Sequence, residues 1–176
     1  MNQTKRLAVR ALFVSIALVL HIAESMIPLP VLTPGAKIGL ANIITMLAVV
    51  LMGYKEAFGI LVARIMIGSI FGGGVSGFLY SFSGGMLSLL MMTLLIALAK
   101  DYVSMIGISV TGAFFHSMGQ VLVAAAMLQN IRILSYLPVL LLTSVGAGIF
   151  VGYVSKALIP YLVPHVRHAY EVPERA

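Results

Sequence analysis

Cysteine and tryptophan are absent from this chain, aspartate occurs once, and charged residues make up only 9% of it. Without cysteine there can be no disulfide, thiolate metal site or cysteine nucleophile, and the redox compartment is left unmarked. Globular domains carry about 25% charged residues, so this chain has too little polar surface to cover a water-soluble core. What it has instead is apolar: 61% hydrophobic residues over 176 positions and a mean hydropathy of +1.10. One integral membrane domain is expected, with no soluble domain beside it.

The net charge of +6 would suit nucleic acid if the basic residues shared one solvated face. They are scattered between apolar segments, as topology signals are, and no nucleic-acid partner is expected. A helix needs roughly 20 apolar residues to cross about 30 Å of hydrocarbon. Breaks at "PLPVLTPGAK", "YKE", "GGGVSG", "KDYVSM" and "NIRILS" leave six candidate spans near 7–27, 38–53, 57–71, 78–99, 106–128 and 136–159, followed by a tail at 160–176. The expected fold class is an all-α membrane protein, a six-transmembrane-helix bundle in the cell membrane, surrounded by lipid.

Sidedness follows from lysine and arginine. With the N-terminus inside, Lys5, Arg6, Arg10, Lys55, Lys100, Lys156, Arg167 and Arg175 fall on or near the cytoplasmic face, against Lys37 and Arg132 near the other. The bundle is therefore expected to be N-in and C-in. Tyr54, Tyr80, Tyr102, Tyr136 and Tyr161 fall at span ends, where an amphipathic ring favours the headgroup level. "KRLAVR" before an apolar run resembles a signal peptide, but "HIAESMIP" offers no good small-x-small cleavage site. Span one is expected to be retained. The tail "VPHVRHAYEVPERA" reads as a solvated end near anionic headgroups, which gives His165 and His168 no site role.

Spans two and three are short, rising about 24 Å or less at 1.5 Å per residue. Short or glycine-interrupted segments point to a transporter's binding region, because unwound backbone is tolerated only against protein or a water-filled cavity. Gly68, Gly72, Gly73, Gly74, Gly77, Gly84 and Gly85 crowd this part of the chain. Arg64 lies near mid-depth of span three, where an arginine costs roughly 2.5–3.5 kcal/mol and normally faces a bundle interior. The same depth assignment sets His21 and Glu24 in the outer third of span one, Asn42 in outer span two, Ser81 and Ser83 in outer span four, and His116 and Gln120 in the middle to outer half of span five. The cytoplasmic halves are expected to be greasy.

His21 and Glu24 are three apart and His116 and Gln120 four apart, so each pair shares a helix face. Each pair serves either as a hydrogen bond between helices or as part of a ligand site, and Arg64 either pairs with Glu24 or meets substrate. Gly84-Gly85 either permits close packing or exposes backbone to a ligand. The loop from Pro28 to Lys37, stiffened by proline, is either a cover over the cavity or a plain connector. There is no P-loop, and the spacing of His21 and His116 carries no metal signature. No metal and no cofactor are expected.

"PLPVLTPGAKIGLANI", "RIMIGSIFGG", "FSGGMLS" and "GAFFHSMGQ", in this order across nearly the whole chain, resemble the Gx transporter family, also labelled heptaprenyl diphosphate synthase component I. That family is similar in layout to the S components of energy-coupling factor transporters. The resemblance implies six helices and an outward-facing pocket for a small vitamin-like or cofactor-precursor solute. It also implies a transmembrane coupling subunit with two ATPase subunits, which alone would use ATP. Docking onto that subunit would run through small residues of helix one, here Ala8, Ala11 and Ser15, with Ser15 standing where alanine is more usual. The substrate-binding set expected is Arg64, His116, Gln120, Asn42, His21, Glu24 and Ser83, with no catalytic residue. The synthase label fits the residues poorly, since prenyl chain elongation needs aspartate-rich clusters to hold Mg2+ on a diphosphate and Asp101 is the single aspartate. The chain is expected not to be an enzyme. A membrane component of isoprenoid or quinone synthesis and a structural anchor of a membrane complex are the alternatives.

Overall fold

A computed structural model describes residues 3–26, 39–99, 102–167 and 169–170. These contain six α-helices and no strand: α1 (Gln3–Met26), α2 (Leu40–Met52), α3 (Tyr54–Gly68), α4 (Gly74–Ala99), α5 (Met105–Met127) and α6 (Leu137–Arg167). A 3-10 helix, Ile131–Tyr136, leads into α6. Local chemistry fixes several ends. Gly53 alone separates α2 from α3; it sits at φ +86, a region open to glycine, and its N–H closes α2 on the carbonyls of Ala48 and Val49 at 3.1 Å. The Ser104 hydroxyl caps α5 by accepting the Gly107 N–H at 3.1 Å, a hydroxyl serving an N–H that the helix itself leaves without partner.

The break expected at "GGGVSG" is not a loop. α3 passes into a π-helical turn, Ser69–Gly73, which meets α4 at Gly74 with φ +54. Glycine permits both the wide turn and the positive φ that starts the returning helix. α4 then packs back on α3, with Gly85 against Leu61 and Ile65.

α2 is apolar on nearly every side and lies at the centre, buried against α1, α3, α4 and α6. Met46, Leu47 and Leu51 are enclosed there with Phe13, Leu61, Leu89 and Val151. α5 is held between α4 and α6 by small residues. A Cβ at Gly148 would stand 2.7 Å from Val110 Cα, and one at Gly152 2.8 Å from Ile106 Cα. Such backbone proximity is how helices associate where lipid offers no hydrophobic drive.

Large apolar side chains outside this core point outward, among them Leu12, Val19, Leu94, Leu98, Leu142 and Phe150. Four segments are long and apolar enough to cross a bilayer: Gln3–Met26, Gly74–Ala99, Met105–Met127 and Ile131–Arg167. α2 and α3 are shorter, with 13 and 15 residues, rising about 20 and 22 Å. An extensive apolar exterior on long helices is that of a membrane protein.

One end of the bundle is clasped by polar contacts. Arg10 pairs with Glu56 at the start of α3 and donates to the Tyr170 hydroxyl at 3.3 Å. Tyr170 donates in turn to the Arg6 carbonyl at 3.2 Å, Arg6 donates to the Ala169 carbonyl at 2.9 Å, and the Arg6 guanidinium lies 5.0 Å from the Tyr170 ring centre. The start of α1 and the end of α6 therefore share one face. This corrects the reading of the tail as solvated: α6 runs on through Pro160 and Pro164, and Ala169 and Tyr170 are buried. His168 lies outside the described residues.

Candidate functional site

Two adjoining cavities open from the end of the bundle opposite this clasp. The larger, about 560 Å3, lies between α3, α4, α5 and the 3-10 helix, with Ile65, Gly77, Tyr80, Val121, Ala124, Leu128, Ile133, Tyr136 and Leu140 in its wall. The smaller, about 60 Å3, reaches inward beside α2 and is lined by Glu24, Asn42, Ser88, Ser109, His116 and Ser144 among others. It is roomy and polar enough to hold ordered water. His21, Arg64, Ser81, Ser117 and Gln120 line both and form the neck between them.

Each of these side chains is placed by its helix. α5 carries Ser109, Gly112, Ala113, His116, Ser117 and Gln120, which the i, i+3 and i, i+4 relations join into one helical stripe. Gly84 and Gly119 bring α4 against that stripe. A Cβ on Gly84 would lie 2.8 Å from the His116 carbonyl oxygen, and one on Gly119 would lie 2.8 Å from the Ser83 carbonyl oxygen. α4 is continuous through Gly84 and Gly85, so these glycines serve close packing and not an opened backbone. On α3, Gly68 stands one turn beyond Arg64 and faces the His21 ring, which lies 3.5 Å from where a Cβ would be, an ordinary packing distance.

Arg64 is buried, and among the described residues its Nε and Nη2 have no hydrogen-bond partner. Glu24 is near enough to act on it electrostatically, yet the two form no ion pair; the ion pair among the described residues is Arg10–Glu56. The Glu24 carboxylate accepts the Gly39 N–H, tying the end of α1 to the start of α2. A carboxylate is well placed there, since helix N-termini carry partial positive charge. Gly39 itself sits at φ +82, and its carbonyl accepts the Asn42 N–H at 2.8 Å.

The residues expected at the site thus fall into two groups. His21, Glu24, Asn42, Arg64, His116 and Gln120 surround the two cavities. Ser83 does not: its one hydroxyl proton is shared between the carbonyls of Gly119 at 3.1 Å and Tyr80 at 3.2 Å, and Ser81 lines the neck in its place. Ser88, Ser109, Ser117 and Ser144 were not anticipated, although Ser81 and Ser88 are seven apart on α4 and therefore share a face. Ser109 and Ser155 are also buried polar side chains, so the apolar interior expected for one half of the bundle is not free of hydroxyls. Among the described residues the buried charged side chains, Glu24 and Arg64, both line the cavities. Tyr80 and Tyr136 join the cavity wall, beyond the headgroup role expected for them. Ala8, Ala11 and Ser15 lie exposed on α1. The Pro28–Lys37 loop lies outside the described residues.

Fold and cavity together define a polytopic helical membrane protein with a polar hollow inside an apolar bundle. Residues 13–158 match the family described as heptaprenyl diphosphate synthase component I, and the chain belongs to that family. No curated protein and no solved structure matches it. The description as a component implies a partner complex.

Proposed function

We propose that the chain is the solute-binding membrane subunit of a nutrient transporter of the energy-coupling-factor type. The observation that carries this reading is the convergence of His21, Arg64, Ser81, Ser117 and Gln120 on the neck of a cavity of about 560 Å3, within the range of small-molecule sites. Intramembrane ionisable groups are costly and mark solute paths when they face a cavity. In this reading the bundle crosses six times, N-in and C-in, with the short α2 and α3 completing their crossings through flanking residues. The clasp of Arg6, Arg10, Glu56 and Tyr170 lies on the cytoplasmic face and the cavity opens outward. The outward face of α1, with Ala8, Ala11 and Ser15, docks on a coupling subunit, and two partner ATPases drive release.

Co-purification tests the reading. Protein extracted gently from membranes retains a small molecule that mass spectrometry identifies, and Gln120→Ala with His116→Ala lowers its occupancy. Absence of bound solute, together with no uptake on co-expression with a coupling subunit and ATPases, would refute it.

The family description favours a second reading, a non-catalytic or catalytic part of a prenyl diphosphate synthase. Five acidic residues in the whole sequence, two of them Glu24 and Glu56 already engaged with Gly39 and Arg10, leave little to hold Mg2+ on a diphosphate. Prenyltransferase activity that appears only when this chain is added would favour that reading over transport.

A further inference from the structure

We infer that the cavity binds a small amphipathic monocarboxylate whose charged head is held by the Arg64 guanidinium at the neck, with its apolar body directed toward Tyr136 and Leu140. This deepens the solute-binding reading and rests on it.

The first ground is the guanidinium itself. Among the described residues Nε and Nη2 of Arg64, on one edge of the planar fork, have no hydrogen-bond partner and almost no accessible surface; a carboxylate, whose two oxygens match that edge, reaches them once side chains at the neck shift, as is common when a ligand binds. A buried cation without compensating bonds is strongly disfavoured. Glu24 does not supply them: it forms no ion pair with Arg64, and its Oε1 accepts the Gly39 N–H.

The second ground is charge. Among the described residues Arg64 is the one lysine or arginine that lines either cavity, and Glu24 offsets part of its field. One negative charge is matched there, whereas a diphosphate would bring several. The third ground is the wall beyond the neck. Val121, Ala124, Leu128 and Leu140 offer apolar surface, and Tyr80 and Tyr136 offer ring faces. A head that is charged and a body that is not complement the two parts of the cavity.

The test uses full-length protein in lipid nanodiscs, with benzoate and 3-phenylpropionate as probes beside their primary amides. Melting temperature is followed as probe concentration rises. The carboxylates should stabilise wild type at concentrations on the order of 10–100-fold lower than the amides, the discrimination expected for charge-assisted bonds. Arg64→Lys keeps the charge but loses the fork, and should erase most of that difference. Amides as effective as carboxylates, an unchanged preference in Arg64→Lys, or no response of wild type to either carboxylate would overturn the inference. The wild-type comparison needs no variant, so a misfolded Arg64→Lys would not obscure the result. Mass spectrometry of the co-purified molecule distinguishes the carboxylate from solute binding at large: a neutral or cationic molecule would refute the carboxylate and leave solute binding standing, whereas no bound molecule, no probe response and no uptake on co-expression with a coupling subunit and ATPases would remove both.

Discussion

Gly84→Ala is the sharpest probe of how the site is built. The added Cβ would lie 2.8 Å from the His116 carbonyl oxygen, 2.9 Å from Gln120 Cγ and 3.1 Å from His116 Cδ2, where relaxed contacts between carbon atoms sit at about 3.5–4.0 Å. The backbone oxygen cannot swing aside, so α4 and α5 must part by several tenths of an ångström. Overpacking of this kind costs about 1–3 kcal/mol. Alanine is also a better helix former than glycine by about 0.8–1.0 kcal/mol, which offsets part of the cost and must be removed by a control. Gly146→Ala in α6 is that control, because a Cβ there meets nothing within 4 Å. The propensity gain is common to both variants, and the difference between them isolates the packing. At about 2–4 °C per kcal/mol for a chain of this size, Gly84→Ala should melt roughly 2–12 °C below Gly146→Ala in a thermal scan of detergent-purified protein. It should also weaken solute retention, because His116 and Gln120 move with α5. Equal melting temperatures for the two variants would refute the close α4–α5 approach that positions the stripe.

Gly77→Leu should block the larger cavity while preserving the fold, since Gly77 lines it and a Cβ there meets nothing within 4 Å; retained solute with unchanged melting would contradict the cavity's position. Glu24→Ala should cost about 1–3 kcal/mol by leaving the Gly39 N–H without its acceptor, and Glu24→Gln less, as read by thermal melting. A double-mutant cycle on Arg10 and Glu56 should give a coupling below about 1 kcal/mol that fades with salt, because Arg10 remains 45% exposed and the pair is screened. Coupling well above that would make the clasp a major source of stability.

Helix positions were legible because runs of apolar residues end at charge or proline, and α1, α5 and α2 lie close to the spans expected for them. The π-helical turn at Ser69–Gly73 was not, since glycine reads as a break whether the chain unwinds or merely widens its turn. The central place of α2 was also hidden, because lipid and bundle interior are equally apolar and composition cannot separate them. Arg64, His116 and Gln120 stood out by their cost in a membrane. Ser83 and Ser81 show where phase was missing: two residues differ by roughly 200° around a helix, and α4 is apolar on too many sides to set an origin. Tyr170 joins Arg6 and Arg10 across the length of the sequence, a contact that no local periodicity encodes.

The absence of native cysteine makes one measurement especially direct. Ser81→Cys and Ser117→Cys place single thiols at the neck, and Leu94→Cys and Leu142→Cys place them on the outward apolar surface. A membrane-impermeant, charged thiol reagent applied from outside intact cells should label the first two and spare the second two. Labelling of the neck thiols only after the cytoplasmic side is exposed, or no labelling of them at all, would contradict an outward-opening, hydrated cavity.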